Sequence, residues 1–272
     1  MSTDITERPY ALVTGASSGI GAAFAEHLAQ DGYDLVIVAR RRDRLESLAG
    51  QLQQNHHSNV DVIVADLSKS DDLRTVEKRV AEDSALELLV NNAGFGAYMP
   101  FVQLDPDKAE ELINVQVLAV ARLTRAALPG MIARGHGSII NVSSRLAFSG
   151  PMGSSQLPKR ATYAGTKAFV ITFTQLLQSE LEGTGVRVQA LCPGLVRTEF
   201  HERVGMDPNR FSPQMIMAAE DLVDASLAGL KSGEVICIPA LEDADLLQQL
   251  QEDKRRLFEI SATGKVATRY ST

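Results

Sequence analysis

The chain has 272 residues, 44% of them hydrophobic and 22% charged, with a formal net charge of −7. That balance excludes a disordered chain, and the negative sign argues against a general nucleic-acid surface. The polar first eight residues, the absence of an apolar run suggesting a membrane span, and two cysteines without metal or redox spacing (Cys192 and Cys237) lead us to expect a cytoplasmic globular protein with no metal, nucleic-acid or membrane partner.

Tyr10–Thr14 reads as a short apolar strand running into Thr14-Gly15-Ala16-Ser17-Ser18-Gly19-Ile20-Gly21, and Ala22–Ala29 behind it has helical spacing. Glycines between a strand and a helix let the backbone pass close to a pyrophosphate, which the free N–H groups of the helix start then hold. The second strand, Asp34–Ala39, contains the continuous apolar run Leu35-Val36-Ile37-Val38 and ends in Arg40-Arg41-Arg42, with no acidic residue before Asp43. An acidic side chain there would accept from a ribose 2′-hydroxyl, whereas arginine accommodates a 2′-phosphate. NADP(H) is therefore expected, with Arg40 the favoured phosphate contact and Arg41 second. A helical pattern over Arg44–Gln54 follows, then His56-His57, a surface pair with no third metal ligand nearby. The third strand, Val60–Ala65, is also almost continuously apolar in Val62-Ile63-Val64, as a strand covered on both faces must be. It closes on Asp66 and Leu67. The Asp66 carboxylate is placed either to accept from an adenine amino group or to cap the next helix, over Asp71–Ala81.

The fourth strand, Leu86–Asn91, ends in Asn91-Asn92-Ala93-Gly94, whose small residues admit a cofactor and whose amides can brace strand ends. A long helical pattern, Asp107–Ala133, precedes the strand Ser138–Val142 and the pair Ser143-Ser144. In Tyr163-Ala164-Gly165-Thr166-Lys167 one helical turn separates Tyr163 from Lys167, so both side chains leave the same face. A free tyrosine has a pKa near 10, too high for efficient proton transfer around neutrality, and a neighbouring ammonium, joined by oxidised nicotinamide, is expected to lower it. The strand Val186–Leu191, a loop over Thr198–Ser212 carrying Gly205 and Pro208, a helix over Ala218–Leu230, a strand over Glu234–Ile238 and a solvated helix over Gln248–Arg256 complete the pattern. The alternation predicts an α/β fold, a single doubly wound parallel sheet with helices on both faces. One domain over 1–272 is expected, with a substrate loop near 198–215 and a C-terminal extension near 240–272.

Thr-Gly-x-x-x-Gly-x-Gly, Asn-Asn-Ala-Gly, a serine ahead of Tyr-x-x-x-Lys and a later Pro-Gly occur in one order. Together they resemble the short-chain dehydrogenase/reductase family, from about Tyr10 to Thr198. The resemblance implies a Rossmann-like, NAD(P)-dependent oxidoreductase that interconverts a carbonyl and an alcohol of a small-molecule substrate, working as a homo-oligomer (dimer or tetramer). By position it makes Tyr163 the general acid/base, Lys167 its activator and ribose contact, and Ser144 the carbonyl-orienting hydroxyl, leaving Ser143 to structural bonds. Gly15, Ser17, Ser18, Gly19, Ile20, Gly21, Asn92, Ala93 and Gly94 would surround the dinucleotide, and Pro193, Gly194, Val196 and Thr198 would border its nicotinamide and phosphates.

Two positions depart from the family pattern. Gln116 stands where the family commonly has the asparagine that holds a water in the proton path, and its longer side chain would shift that water. Asn114, two residues away on a helix, points elsewhere. The rival reading is a cofactor-binding regulatory protein with the fold but little catalysis. The stretch between Ser144 and Tyr163 is also longer than usual, so Gly150–Arg160 either enlarges the mouth of the substrate pocket or is a surface insertion.

Overall fold

A computed structural model of the chain describes residues 8–82, 85–150, 159–200 and 211–270. These fall into two units, 1–239 and 240–272. The first is built on strands β1 (Tyr10–Thr14), β2 (Asp34–Ala39), β3 (Val60–Val64), β4 (Leu86–Asn91), β5 (Gly137–Val142), β6 (Val186–Leu191), β7 (Leu195–Val196), β8 (Ile216–Met217) and β9 (Ile236–Cys237). Seven of them form one parallel sheet in the order β3-β2-β1-β4-β5-β6-β9, while β7 and β8 pair as a separate parallel ribbon that the sequence pattern did not anticipate.

Successive residues of a strand point to opposite faces, and both faces here are covered, which is why β1 and β2 tolerate almost no polar residue. Ala11, Val13 and Ile37 face a core shared with α1 (Gly19–Gln30), α2 (Arg42–His56) and the helix Ala219–Ser232. Leu12, Val36 and Val38 face the other core, with α3 (Ser70–Glu82), the helix Ala119–Arg134 and the C-terminal end of Ala161–Glu180. Each Leu or Val fully buried this way contributes about 1.5–3 kcal/mol. β3 corrects the sequence reading: it is an edge strand, with Val62 and Ile63 half-buried and Val64 37% exposed. A continuous apolar run is necessary for a doubly covered strand but does not guarantee one.

The chain adds β2 and β3 on one side of β1, then returns to place β4 on the other. The carboxyl ends of β1 and β4 therefore diverge into a crevice, where doubly wound sheets take their ligands. The long helical pattern divides into α4 (Pro106–Ile113), a single π turn at Asn114–Leu118 and α5 (Ala119–Arg134). Pro106 at the first helical position and Asp105, which accepts from the Lys108 amide at 3.1 Å, start it. By length and composition alone Pro106–Arg134 would qualify as a membrane span, contrary to the sequence reading. Its Leu112, Val115, Leu123 and Met131 are buried in the protein. The next helix is α6 (Ala161–Glu180), followed by α7 (Ala219–Ser232). Residues 151–158 of the expected pocket-mouth insertion and 201–210 of the expected substrate loop lie outside the described residues. In the second unit, α8 (Asp245–Ser261) extends the predicted C-terminal helix at both ends and has no buried residue.

Candidate active site

The glycine loop is shaped by contacts rather than by flexibility. Gly15 and Gly19 take φ of +70° and +58°, the left-handed region that favours glycine. A Cβ at Gly21 would lie 2.5 Å from both Asn92 Nδ2 and the Gly15 carbonyl oxygen, so α1 starts flush against the loop. Asn92 closes the loop from β4, its Nδ2 donating to the Thr14 carbonyl at 2.9 Å. Asn91 braces the next strand, donating to Asn141 Oδ1 at 2.9 Å, and Asn141 Nδ2 in turn donates to Thr174 Oγ1 at 3.0 Å. This buried polar ladder ties β4, β5 and α6 together beneath the crevice.

One cavity of about 460 Å³ fills the crevice. Of the expected site residues, Gly15, Ser17, Ser18, Gly19, Ile20, Arg40, Arg41, Asp66, Leu67, Asn92, Ala93, Gly94, Gln116, Ser144, Tyr163, Lys167, Pro193, Gly194, Val196 and Thr198 all line it. Gly21 does not, because it sits under the loop against Asn92.

The arginines differ from the expected order. Arg41 reaches the glycine loop: its Nη2 donates to Ser17 Oγ at 2.9 Å and Ser18 Oγ at 2.7 Å, and its Nε to Ser17 Oγ at 3.1 Å. Arg40 turns the other way, to Glu111 at 3.1 Å and, more distantly, Asp66 at 3.9 Å. The Asp66 carboxylate accepts from the Ser68 amide at 3.0 Å and the Ser68 hydroxyl at 2.8 Å, closing a local turn ahead of α3.

At the other end, β5 delivers Ser143 and Ser144, and the first turns of α6 deliver Tyr163 and Lys167. Both serines line the cavity, and their hydroxyls have different partners. Ser143 Oγ donates to the Lys167 carbonyl at 2.8 Å, fixing α6 to β5. Ser144 lines the cavity, and its Oγ accepts from the Leu146 amide at 3.2 Å. Lys167 is buried, and Nζ donates to the Val142 carbonyl at 2.8 Å. Burial lowers the Lys167 pKa to about 8. The Tyr163 phenol, in the protein without cofactor, is governed by burial. Burial pushes its pKa up, and what opposes that is hydrogen bonding with the hydroxyls of Ser144 and Tyr98, not the Lys167 charge. Lys167 Nζ lies 5.8 Å from the Tyr163 ring centre.

Gln116 sits within the π turn and is fully buried. Its Nε2 donates to the Phe95 carbonyl at 2.5 Å, and its Oε1 accepts from Thr166 Oγ1 at 3.1 Å. The amide thus joins the β4 loop to α6.

Sequence reasoning missed the aromatic wall. Tyr98 packs edge-on to Tyr163 with ring centres 5.3 Å apart, and Phe200 lies 6.1 Å from Tyr163 and 6.4 Å from Tyr98. Tyr98 follows Asn-Asn-Ala-Gly by four residues, so the motif itself pointed to it. Glu111, Lys108 and Glu199 had no such signal.

The family model described as short chain dehydrogenase matches residues 9–209. A short-chain dehydrogenase from Sphingobium yanoikuyae, solved in complex with NADPH, is 37% identical, covers 96% of this chain and all of its own, and superposes with a TM-score of 0.90. A bulky-bulky ketone specific alcohol dehydrogenase from Comamonas testosteroni is 35% identical over 98% of this chain and 100% of its own, with a TM-score of 0.87. The very-long-chain 3-oxoacyl-CoA reductase of Anas platyrhynchos is 31% identical over 85% of this chain and 72% of its own. The chain spans 57% of a human relative named inactive hydroxysteroid dehydrogenase-like protein 1, 33% identical over 70% of this chain.

Proposed function

The chain belongs to the short-chain dehydrogenase family, and from that premise we propose that it is an NADP(H)-dependent oxidoreductase interconverting a ketone and a secondary alcohol, with Tyr163 as general acid/base. The observation that carries this reading is the convergence of Ser144, Tyr163 and Lys167 on the wall of the same cavity that the glycine loop closes at its other end. The residues suit a dinucleotide. Side chains at Gly15 or Gly21 would collide with Asn92, so the loop keeps the close backbone turn that suits a phosphate. The buried Lys167 ammonium, with three protons to donate and the Val142 carbonyl as its acceptor, suits a ribose diol. Ser17 with Arg41 suits a 2′-phosphate, with Arg40 beside them.

The bound nicotinamide supplies or accepts the hydride. In reduction the Tyr163 hydroxyl gives its proton to the carbonyl oxygen, and in oxidation the phenolate takes it back from the alcohol. Ser144 Oγ donates to the same oxygen and orients it. Tyr98, Phe200 and Leu146 shield that place from water, and their apolar surface favours a ketone with bulky apolar substituents. Exposed Ile113, Leu118, Phe169 and Leu176 on the neighbouring α4–α5 stretch and α6 offer an apolar face for a homo-oligomer, dimer or tetramer. The free buried thiols of Cys192 and Cys237 accord with a cytoplasmic location.

NADPH consumption over a panel of ketones graded by substituent size tests the proposal, with turnover expected on the bulkier members. The second reading, a cofactor-binding regulator, is favoured by one observation: the Gln116 amide is committed to Phe95 and Thr166. Tight NADPH binding without turnover on any member of the panel would select it.

A further inference from the structure

Glu199 sits between two arginines at the phosphate end of the cavity. Its Oε2 accepts from Arg41 Nη1 at 3.2 Å, and its Oε1 accepts from Arg44. The Nε and Nη2 groups of Arg41 are turned to Ser17 and Ser18, so the edge of the guanidinium that carries Glu199 is one that an incoming phosphate also needs. The carboxylate is held at this place by its chain neighbour. Thr198 packs on the glycine loop so closely that a Cβ at Gly19 would lie 2.9 Å from its Cγ2.

We infer that Glu199 is an internal surrogate for the 2′-phosphate: it pairs with Arg41 and Arg44 in the cofactor-free protein and competes with a 2′-phosphorylated nucleotide for them. The inference rests on the NADP(H) reading above. A phosphate of nearly two negative charges pairs with two guanidinium groups better than one carboxylate does. The phosphate therefore wins, but against the repulsion of a carboxylate held at the same guanidinium. Glu199 sets the margin by which a phosphorylated cofactor is preferred.

The test is calorimetric titration of the cofactor-free protein with 2′,5′-ADP and with 5′-AMP, for the unmutated chain, Glu199→Gln and Glu46→Gln. Glu46 pairs with Arg42 on the same helix at 3.3 Å and serves as the control for net charge. Glu199→Gln should tighten 2′,5′-ADP about fivefold, the size of an exposed ion pair, and leave 5′-AMP unchanged. Should the unmutated chain bind both nucleotides alike, the NADP(H) reading falls and the inference falls with it. If it discriminates but Glu199→Gln leaves 2′,5′-ADP unchanged or weakens it, Glu199 is not a competitor, and only the inference is overturned. The inference is likewise overturned if Glu46→Gln tightens 2′,5′-ADP as much as Glu199→Gln does.

Discussion

The two ends of the cavity solve opposite electrostatic problems. At the phosphate end, Arg40, Arg41, Arg44, Glu111 and Glu199 are partly exposed and paired with one another, so each charge keeps water as a second partner. At the carbonyl end, Ser144, Tyr163 and Lys167 are less than 10% exposed, and burial moves the tyrosine up and the lysine down, each toward its neutral form. A surface charge network is tunable in small steps, whereas a buried acid/base pair has much larger free energies attached to it. Substitutions at the carbonyl end should therefore have the larger effects.

Tyr163→Phe removes only the hydroxyl from a ring already packed between Tyr98 and Phe200. Turnover should fall about 10²–10⁴-fold while NADPH affinity stays within error, as steady-state assays and titration on one preparation would read. Full activity in that variant would remove Tyr163 from the chemistry and erase the contrast between the two ends.

Lys167→Met tests how much burial costs. A base whose pKa drops from 10.5 to about 8 on folding is penalised while it is charged, below about pH 8. The penalty fades as pH rises from about 8 through 10.5, because there the unfolded chain holds the extra proton. Urea unfolding of the cofactor-free protein should show the stability of Lys167→Met relative to the unmutated chain falling by about 3 kcal/mol between neutral pH and about pH 11. A difference independent of pH would mean that the ammonium is well solvated.

At the phosphate end, Arg41→Ala should weaken NADPH by about 1.5–3 kcal/mol, the worth of charge-assisted hydrogen bonds, and leave NADH nearly unchanged. Arg40→Ala should cost under about 1 kcal/mol, since its side chain is 58% exposed and paired with Glu111. Paired titrations with the two cofactors rank the arginines. The reverse order would show that Arg40 turns back to the phosphate on binding.

At the carbonyl end a comparably small effect is expected from Tyr98, which acts only through Tyr163. Its hydroxyl acts on Tyr163 in the direction of lower pKa, so Tyr98→Phe should move the pH limb of alcohol oxidation upward. A net hydrogen bond of about 0.5–1.5 kcal/mol limits that shift to about one pH unit. An unmoved limb with lowered activity would make Tyr98 a packing residue only.

Much of this was legible in the sequence because it is local. The glycine loop, the Tyr-x-x-x-Lys spacing and the strand cores depend on residues within one turn or one strand of each other, and backbone geometry translates that spacing directly into placement. β3 misled because an apolar run records what a strand can bury, not whether a neighbour comes to cover it. Gln116 shows another limit. Spacing placed it at the site, but its two partners, Phe95 and Thr166, come from a loop and a helix far from it along the chain.

The sequence by itself therefore determined the sheet, the phosphate loop and the residues that gather around one cavity. Only the tertiary structure decided what state those groups are in. Whether Arg40 or Arg41 meets the loop, how far burial moves Tyr163, and whether Glu199 pairs with Arg41 and Arg44 all depend on solvent access and on charges brought together across the fold. Electrostatic free energy is set by distance and dielectric in three dimensions, and linear spacing carries neither.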